Sequence, residues 1–437
     1  MASQVMTSWG NVIRTPHVVV QLTDRLAPFP DVRNRNGVLP FGNGRSYGDS
    51  CLNTGGVLLR TLCLDKFIAF DPTNGVMACE TGVKLSDILR IAVPHGWFLA
   101  VTPGTRFITI GGAIANDVHG KNHHVAGTFS RHLRRFELLR SNGERLLCAP
   151  DQNAQWFAAT IGGLGLTGLI TWAEIQLRRI PGPSMAVETI RYENLGEFMT
   201  LCAESDLDYE YTVAWVDCMA GGARLGRGLL QRARHAPGSK AAARAPRSLS
   251  VPLMPPCSLI NNTSLRLFNT AVYHRQRRAR VQTQVHYESF FYPLDGIRNL
   301  NRIYGPRGMY QYQCVIPRGA DQDGIAALLA AIARSGLGSF LAVLKCFGDS
   351  PSVGLLSFPR PGVTLALDFP NRGERLERLL RTLDGIVAAA GGRIYPAKDG
   401  RMPGSLFRSG FPQWERFTDF IDPACSSDFW RRVMRDR

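Results

Sequence analysis

Three glycine-rich clusters divide the first part of this 437-residue chain. They lie at residues 42–48, 103–112 and 162–168, and short β-like runs connect them. Closely spaced glycines let the backbone approach a ligand or another segment more closely than side chains allow. The pattern predicts an α+β fold whose turns surround a bound molecule. The β-like runs are residues 56–64, 75–83, 107–116 and 169–177, and a helical piece starts at Leu85.

The first cluster reads GNGRSYGD over residues 42–49. Successive backbone N–H groups in such a turn can point inward and form a concavity for anionic oxygens. Arg45, Ser46 and Tyr47 add side-chain donors around it. We interpret the cluster as a phosphate cradle, and a tight surface turn is the alternative.

The second cluster continues in small and polar residues as far as residue 124. Neighbouring small residues permit a flat ring system or a diphosphate to lie against the backbone. His119, His123 and His124 are possible metal ligands, but no cysteine lies near them in the sequence. Because a packed or hydrogen-bonded histidine is the commoner outcome, we predict no metal site.

The third cluster contains a G-x-G-x-x-G pattern that begins at Gly163. A nicotinamide-binding unit requires a helix directly after this pattern. Residues 169–177 instead alternate as a strand does, so the context rejects that motif. What remains is a glycine-rich turn that enters a strand.

The length of the chain indicates two domains or one large domain with an insertion. A turn signal at Ile180–Pro183 marks a boundary, since the glycine density falls there. Beyond it, strand-like and helical runs alternate, which predicts a sheet with helices on one face. The strand-like runs are 209–217, 309–316, 339–347 and 364–369, and the helical runs are 324–336 and 375–392.

The ten cysteines are dispersed and form no C-x-x-C pair. This spacing favours reduced thiols over a disulfide framework or a zinc site. No apolar run approaches the roughly 18–20 residues of a membrane span, and the first residues lack the order of a secretory signal. The sequence therefore predicts a cytoplasmic protein.

Residues 224–280 contain twelve Lys and Arg and no Asp or Glu. We predict that this stretch forms a basic mobile loop of the second domain, and its segment 231–247, rich in Ala, Pro, Gly and Arg, is the part most typical of a loop. Such charge suits nucleic acid, anionic lipid or a lipid-phosphate substrate. No nucleic-acid docking element is visible, and the apolar residues of 251–260 favour peripheral contact with a membrane surface. A solvated basic loop is the alternative.

Several longer strings occur in a characteristic order along the chain. The clusters resemble the PCMH-type FAD-binding domain of the vanillyl-alcohol-oxidase superfamily, and the ordered strings resemble the decaprenylphosphoryl-β-D-ribose 2′-oxidase family. The resemblance implies an FAD-binding domain at 1–182, an inserted substrate domain at 183–392 on an antiparallel sheet, and a return segment at 393–437. The strings are GRSYGD, PGTR, GGAIANDVHGKNHH, GGLGLTG, YPLD, YQYQCVIP, LSFP, DFP and YPAKDGR.

The resemblance also implies a cofactor site. Arg45 stands where many superfamily members carry a histidine bonded to the flavin, so noncovalent FAD is expected. The FAD-contacting residues that the family pattern implies are Pro40, Phe41, Gly42, Asn43, Gly44, Arg45, Ser46, Tyr47, Gly48, Asp49, Ser50, Gly104, Thr109, Ile110, Gly111, Gly112, Asn116, Asp117, Val118, His119, Ile170 and Tyr395.

The implied reaction oxidises the C2 hydroxyl of a polyprenylphosphoryl-β-D-ribose to a ketone, the first half of an epimerisation. Lys398 matches a family lysine beside the flavin, where its charge would stabilise the reduced cofactor. The implied substrate residues are Lys121, Trp215, Gln313, Lys345 and Lys398. Tyr47, His119, Lys121 and Lys398 are candidates for handling the hydroxyl proton, and the implied catalytic set is Lys398, His119, Tyr47 and Lys345.

Some positions depart from the family pattern. Ala366 replaces the cysteine that nitroaromatic inhibitors modify in mycobacterial members, Thr364 replaces an asparagine, Asn116 replaces a second cysteine, and Phe291 replaces a tyrosine. The partners implied are a lipid-linked sugar phosphate and an NAD(P)H-dependent short-chain reductase, with no nucleic acid. A soluble-sugar or lactone oxidase and a non-enzymatic nucleic-acid-binding protein are the alternatives.

Overall fold

Two sheets carry the amino-terminal part of the computed structural model, which describes residues 3–31, 36–238, 249–256, 258 and 260–435. The first sheet has the order β1-β2-β4-β3. Strands β1 and β2 pair antiparallel, whereas β4 pairs parallel with both β2 and β3. Strands β3 and β4 are almost fully buried, as parallel strands usually are. The strands are β1 (Ser3–Thr7), β2 (Arg14–Gln21), β3 (Val38–Phe41) and β4 (Val57–Arg60).

The second sheet has the order β5-β6-β10-β8-β9, and β7 also pairs with β10. Burial alternates along the carboxy-terminal half of β10 (Leu169–Arg179), which confirms the strand predicted after the third glycine cluster. The predicted helix at Leu85 is α1 (Leu85–Ala92), which buries Leu85, Ile88, Leu89 and Ala92. The strands are β5 (Phe67–Asp71), β6 (Val76–Glu80), β7 (Trp97–Leu99), β8 (Leu133–Leu139), β9 (Arg145–Cys148) and β10 (Leu169–Arg179).

The β-like prediction for residues 107–116 is wrong, because α2 (Ile110–Ala115) occupies most of this run. The Thr109 side chain accepts a hydrogen bond from the Gly112 amide at 3.2 Å and caps the helix. A Cβ on Gly111 would collide with Thr81 Oγ1, so the glycine lets the helix lie directly against the second sheet. Tertiary packing therefore overrides the weak helix propensity of Gly-Gly.

The third sheet has eight strands in the order β15-β11-β13-β12-β18-β19-β17-β20, and all of its pairs are antiparallel. Helices α8 (Asp321–Ser335) and α9 (Glu374–Ala389) pack against each other and against β17 (Met309–Pro317), which agrees with the predicted sheet and helix layer. The strands are β11 (Ser184–Tyr192), β12 (Tyr211–Val216), β13 (Gly228–Ala236), β15 (Arg280–His286), β17 (Met309–Pro317), β18 (Ala342–Phe347), β19 (Gly362–Pro370) and β20 (Arg393–Ile394).

The remaining elements are short strands and helices around these sheets. Strands β14 (Leu249–Ser250) and β16 (Ile297–Arg298) form a small parallel pair. The helices are α3 (His123–Ala126), α4 (Ala154–Thr160), α5 (Leu195–Ser205), α6 (Asn262–Arg275), α7 (Tyr287–Phe291), α8 (Asp321–Ser335), α9 (Glu374–Ala389), α10 (Gly404–Gly410), α11 (Trp414–Thr418) and α12 (Asp428–Val433).

The prediction of one basic mobile loop over 224–280 is wrong for the described residues, which include β13 and α6. Arg227 pairs with Asp217 at 2.8 Å and Arg232 pairs with Glu188 at 2.6 Å. These carboxylates lie outside the basic segment in sequence, so local composition could not show the pairing. Of the predicted loop 231–247, residues 239–247 fall outside the described part.

The chain passes from the second to the third sheet between residues 179 and 184, and the predicted boundary at 182 falls in this link. After β20 the chain returns to the first sheet, where the Ser426 amide donates to the Val38 carbonyl at 2.9 Å. In the described part of the chain, no helix has both the length and the hydrophobicity needed to cross a bilayer.

Candidate functional site

A cavity of about 1420 Å³ is lined by the glycine clusters on one side and by the third sheet on the other. All but four of the residues predicted to bind cofactor or substrate line this cavity. The described lining contains six Lys and Arg but only two acidic residues, Asp295 and Asp368. The site therefore favours an anionic ligand.

Glycines bring the first two clusters together along the wall. A Cβ on Gly42 would collide with Thr109 Oγ1, so the cradle and α2 can approach this closely only with glycine at that position. By contrast, a Cβ on Gly104 would meet no protein atom of the described residues within 4 Å. The backbone at Gly104 is thus open to a ligand.

Arg45 lies between two aromatic rings, with its guanidinium carbon 4.2 Å from the Trp9 ring centroid and 5.7 Å from that of Phe107. Burial lowers the pKa of Arg45, and the nearby Asp295 opposes this effect. Its Nε is buried and has no hydrogen-bond partner among the described residues. A buried unpaired donor is costly, so an anionic acceptor in the cavity would stabilise it.

Lys398 follows β20 and extends towards the first cluster, where its Nζ lies 4.0 Å from the Tyr47 ring centroid. Burial lowers the pKa of Lys398 to about 8, while Asp368 acts in the opposite direction. Burial and the Asp368 charge raise the pKa of Tyr47 well above its ordinary value. At neutral pH, Lys398 is therefore mostly charged and Tyr47 stays protonated.

His119 is buried and contacts the side chain of Gln313, with 3.0 Å between its Nε2 and Gln313 Nε2. The same amide nitrogen donates to Thr364 Oγ1 at 3.3 Å, and the Thr364 hydroxyl donates to the Cys314 carbonyl. This network assigns His119 Nε2 as an acceptor and places the ring proton on Nδ1. Burial and the Lys345 charge lower the pKa of His119 well below its ordinary value, so the imidazole is neutral.

Two further lysines face the cavity. Burial and the Lys398 charge lower the pKa of Lys345 on β18 to about 8. The Lys121 ammonium donates to the Phe290 carbonyl and lies 4.1 Å from the Phe290 ring centroid. Burial and the Lys345 charge lower its pKa to about 7. Lys121 can therefore gain or lose a proton near neutral pH.

Four predicted cofactor residues lie behind the wall. Asp117 accepts hydrogen bonds from the Ser130 amide and the Ser357 hydroxyl. Asp49 pairs with Arg432 at 2.8 Å. Ile110 is fully buried, and Gly48 packs against the backbone of Asp399. In the structure these four residues support the cavity wall and do not line it, and their contact with FAD stays a prediction.

The neighbouring histidines are packed residues. His123 is buried, and its ring centroid lies 4.5 Å from that of Phe347. Burial lowers its pKa to about 3. The His124 ring bonds the Tyr209 carbonyl at 2.9 Å.

A family model described as FAD binding domain matches residues 32–149. The chain is 34% identical to "Decaprenylphosphoryl-beta-D-ribose oxidase" of Mycolicibacterium smegmatis over 98% of this chain and 97% of that protein. The chain belongs to the decaprenylphosphoryl-β-D-ribose oxidase family. It is therefore an FAD-dependent oxidoreductase, and the alternative of a protein without redox chemistry is excluded.

Other relatives match this chain over different lengths. A Streptomyces coelicolor protein named only as uncharacterised is 34% identical over 80% of this chain and all of its own length. Cytokinin dehydrogenase 4 of Arabidopsis thaliana is 26% identical over 32% of this chain and 28% of its own. The family likeness thus extends over both parts of the chain, and the cytokinin dehydrogenase likeness over about a third.

The residues of this family member fit FAD. The open backbone at Gly104 and the buried, unpaired Arg45 Nε supply a place and a donor for an anionic, flat molecule. In the described structure these groups share one cavity with Lys398 and Tyr395. Gly42–Tyr47 and Thr109–Gly112 would hold the phosphates, and no covalent link to Arg45 is possible.

Sequence reasoning missed Asp368 and Trp9, which both line the cavity. The Asp368 carboxylate accepts a hydrogen bond from Gln311 Nε2 and one from the Tyr304 hydroxyl at 3.4 Å. Asp368 lies within the DFP string, so its position was visible in the sequence but its proximity to Lys398 was not. Trp9, near the start of the chain, is held beside the first cluster because its backbone amide donates a hydrogen bond to the Ser46 carbonyl. No signal in the sequence indicated this contact.

Proposed function

We propose that the protein oxidises the C2 hydroxyl of a polyprenylphosphoryl-β-D-ribose, or a similar lipid-linked sugar, to the 2-keto form. The observation that carries the proposal is that Lys398, Lys345 and the cofactor-binding clusters line a single cavity. The excess of cations over carboxylates there suits a phosphate-bearing substrate. Similarity to the Mycolicibacterium smegmatis oxidase along almost the whole chain supports the same substrate class.

Oxidation of a secondary alcohol removes a hydride from the carbon and a proton from the oxygen. FAD, when bound, supplies the acceptor for the hydride. The Lys398 ammonium adds fixed positive charge to the wall that also carries the glycine clusters, and it stabilises negative charge that develops there. Lys345 and Gln313 hold the sugar on the opposite wall, and Trp215 adds an apolar surface.

Lys121 is the residue to which we assign the hydroxyl proton. With a pKa of about 7, a large share of its amine is neutral at physiological pH and carries a free lone pair. The other candidates are less suited, because His119 Nε2 already accepts from Gln313 and Tyr47 remains protonated. Lys398 must keep its charge for the role above.

Three of the four departures from the family pattern, Asn116, Phe291 and Ala366, line the same cavity, and Thr364 is buried behind its wall. Ala366 lines it and offers no thiol, so nitroaromatic compounds cannot trap the protein covalently there. Thr364 is buried and bonds Gln313, so it shapes the substrate wall indirectly. Phe291 is buried and has no hydroxyl to offer the sugar.

The 2-keto product implies a second enzyme. An NAD(P)H-dependent short-chain reductase that returns hydride to C2 from the opposite face would complete the epimerisation. We place the reaction in the cytoplasm at the inner membrane. Every cysteine in the described part of the chain is free, which suits a reducing compartment.

The proposal is tested by anaerobic mixing of the yellow holoenzyme with a short-chain prenylphosphoryl ribose. We expect the flavin absorbance to bleach. Borodeuteride should then reduce the 2-keto product and leave deuterium at C2 of the sugar. A soluble-sugar oxidase, the runner-up, would instead bleach with free alditols or lactone precursors. Bleaching by the free sugar alone would overturn the lipid-linked assignment.

A further inference from the structure

The cavity opens on one side of the molecule. Among the described lining residues, every exposed one except Gly104 lies between Phe268 and Asn299. A residue that lines a cavity and is also exposed marks its rim. The exposed rim residues of this interval are Phe268, Arg275, Thr283, Pro293, Leu294, Arg298 and Asn299.

Helix α6 and the segment 293–302 build most of this rim. The segment 249–254 lies beside them, because β14 pairs with β16 and the Arg302 guanidinium donates to the Pro252 carbonyl at 2.8 Å. We call residues 249–254, 262–278 and 293–302 the rim surface.

Large apolar side chains on the rim surface are exposed. Leu253 is 79% exposed, Leu249 is 68% exposed and Leu267 is 67% exposed. Phe268 is 46% exposed although it also lines the cavity. Scattered exposed leucines are ordinary, but a group of them around a cavity mouth indicates a contact surface.

The same surface is positively charged. In the described part of the chain, no carboxylate lies within ion-pair distance of Arg266, Arg275 or Arg298. Arg277 and Arg278 lie just beyond Gln276, the C-cap residue of α6, and are exposed. Unlike Arg227 and Arg232, which are neutralised inside the protein, these cations remain available to an anionic partner.

We propose that the rim surface docks on an anionic lipid bilayer, so that a polyprenyl-phosphate substrate passes into the cavity without leaving the membrane. The proposal rests on the proposed function for its substrate class. Exposed leucines enter the interfacial region while the arginines contact lipid phosphates, and the two effects reinforce each other. The phosphate then meets Arg275 and Arg298 at the rim and the lysines within.

Flotation of the holoenzyme with vesicles tests the surface. We expect co-flotation with phosphatidylglycerol-containing vesicles and little with pure phosphatidylcholine. The double variant Leu253→Gln/Leu267→Gln should lose affinity about tenfold, since two apolar insertions are removed. The matched control Val5→Gln/Leu207→Gln changes side chains that are 67% and 92% exposed elsewhere, and it should float like the wild type.

The charge is tested separately. Arg266→Gln should weaken anionic-vesicle binding about fivefold and leave binding to neutral vesicles unchanged. Equal flotation of the wild type with neutral and anionic vesicles would overturn the proposal. So would normal flotation of the leucine variant.

A second measurement separates this inference from the proposed function. The flavin of the Leu253→Gln/Leu267→Gln variant should bleach at the wild-type rate with a water-soluble short-chain substrate. With a long-chain substrate held in vesicles it should bleach more slowly than the wild-type flavin. Failure of the wild type to oxidise either substrate would reject the proposed function and leave the flotation result standing. Equal rates of wild type and variant on the embedded substrate would reject direct entry from the membrane.

Discussion

The ammonium of Lys398 lies 4.0 Å from the centre of the Tyr47 ring, at the junction of the first glycine cluster and the chain after β20. The Tyr47 amide donates to the Ala397 carbonyl at 2.9 Å, so the backbone holds the two side chains together. Residues that are about 350 positions apart in sequence thus form one element of the site. The charge at this point depends on both segments.

Replacement of Lys398 by methionine tests the role of that charge. Lys398→Met keeps the length of the side chain, so FAD should remain bound and the protein should stay yellow. The rate of anaerobic bleaching by substrate should fall by about 100-fold, because a fixed charge is lost where negative charge develops. Lys66→Met, at an exposed position, is the control. A normal bleaching rate in Lys398→Met refutes the assignment.

Asp368→Asn tests the partner of Lys398. Burial lowers the pKa of Lys398 and the Asp368 charge opposes it, so the asparagine should lower that pKa further. If charged Lys398 is required, the alkaline fall in the bleaching rate should move to lower pH by roughly one unit. Stopped-flow bleaching across pH measures the shift, with Asp65→Asn as an exposed control. An unmoved alkaline limb contradicts the coupling.

Lys345→Met should stabilise the FAD-free protein at neutral pH. The pKa of Lys345 is about 8 when folded, against an ordinary value of 10.5. Between these values the unfolded chain binds more protons than the folded one, so the Lys345 contribution to stability rises with pH and is most unfavourable below about 8. The gain in Tm over wild type should therefore be largest near neutrality and shrink as pH rises towards 10.5. A gain that grows with pH would contradict the sign.

Arg432 connects α12 with the site through two carboxylates, Asp49 and Asp399, each at 2.8 Å. Both carboxylates are almost fully buried, so Arg432→Met should leave them unpaired and lower the free energy of unfolding by about 3 kcal/mol. Urea denaturation measures the loss. Arg318→Met breaks an exposed pair with Asp349 and should cost less than about 1 kcal/mol. Equal losses in the two variants would mean that burial does not decide the effect.

Local signals in the sequence predicted the parts of the fold that depend on local physics. The apolar spacing after Leu85 gave α1, and the alternation after Gly168 matched β10. The β-like prediction for residues 107–116 was wrong because the helix there depends on a close tertiary contact between Gly111 and Thr81, which the local pattern does not show. The prediction for the basic segment was wrong because Arg227 and Arg232 pair with Asp217 and Glu188, which lie outside that segment in the sequence.

The site shows the same division. The glycine strings located the cavity wall and the family resemblance located the lysines. Neither could show that the Asp368 charge opposes the effect of burial on the pKa of Lys398. That relation depends on how β17 pairs with β19, which carries Asp368, and with β20, which precedes Lys398. Nor could they distinguish Asn116, which lines the cavity, from Asp117, whose carboxylate turns away to Ser130 and Ser357.

Gly111→Ala tests whether the contact between the clusters is needed for FAD binding. The new Cβ would collide with Thr81 Oγ1, so α2 must shift away from the second sheet and carry the Gly112 backbone out of position. We expect the purified variant to hold at least about tenfold less FAD, since a small displacement of a preformed site has a large effect on binding. Flavin released by acid, per mole of protein, measures this. Gly385→Ala in α9 is the control, because its Cβ would meet no described atom within 4 Å and a helix favours alanine over glycine. Full occupancy in Gly111→Ala would show that FAD binds independently of this contact.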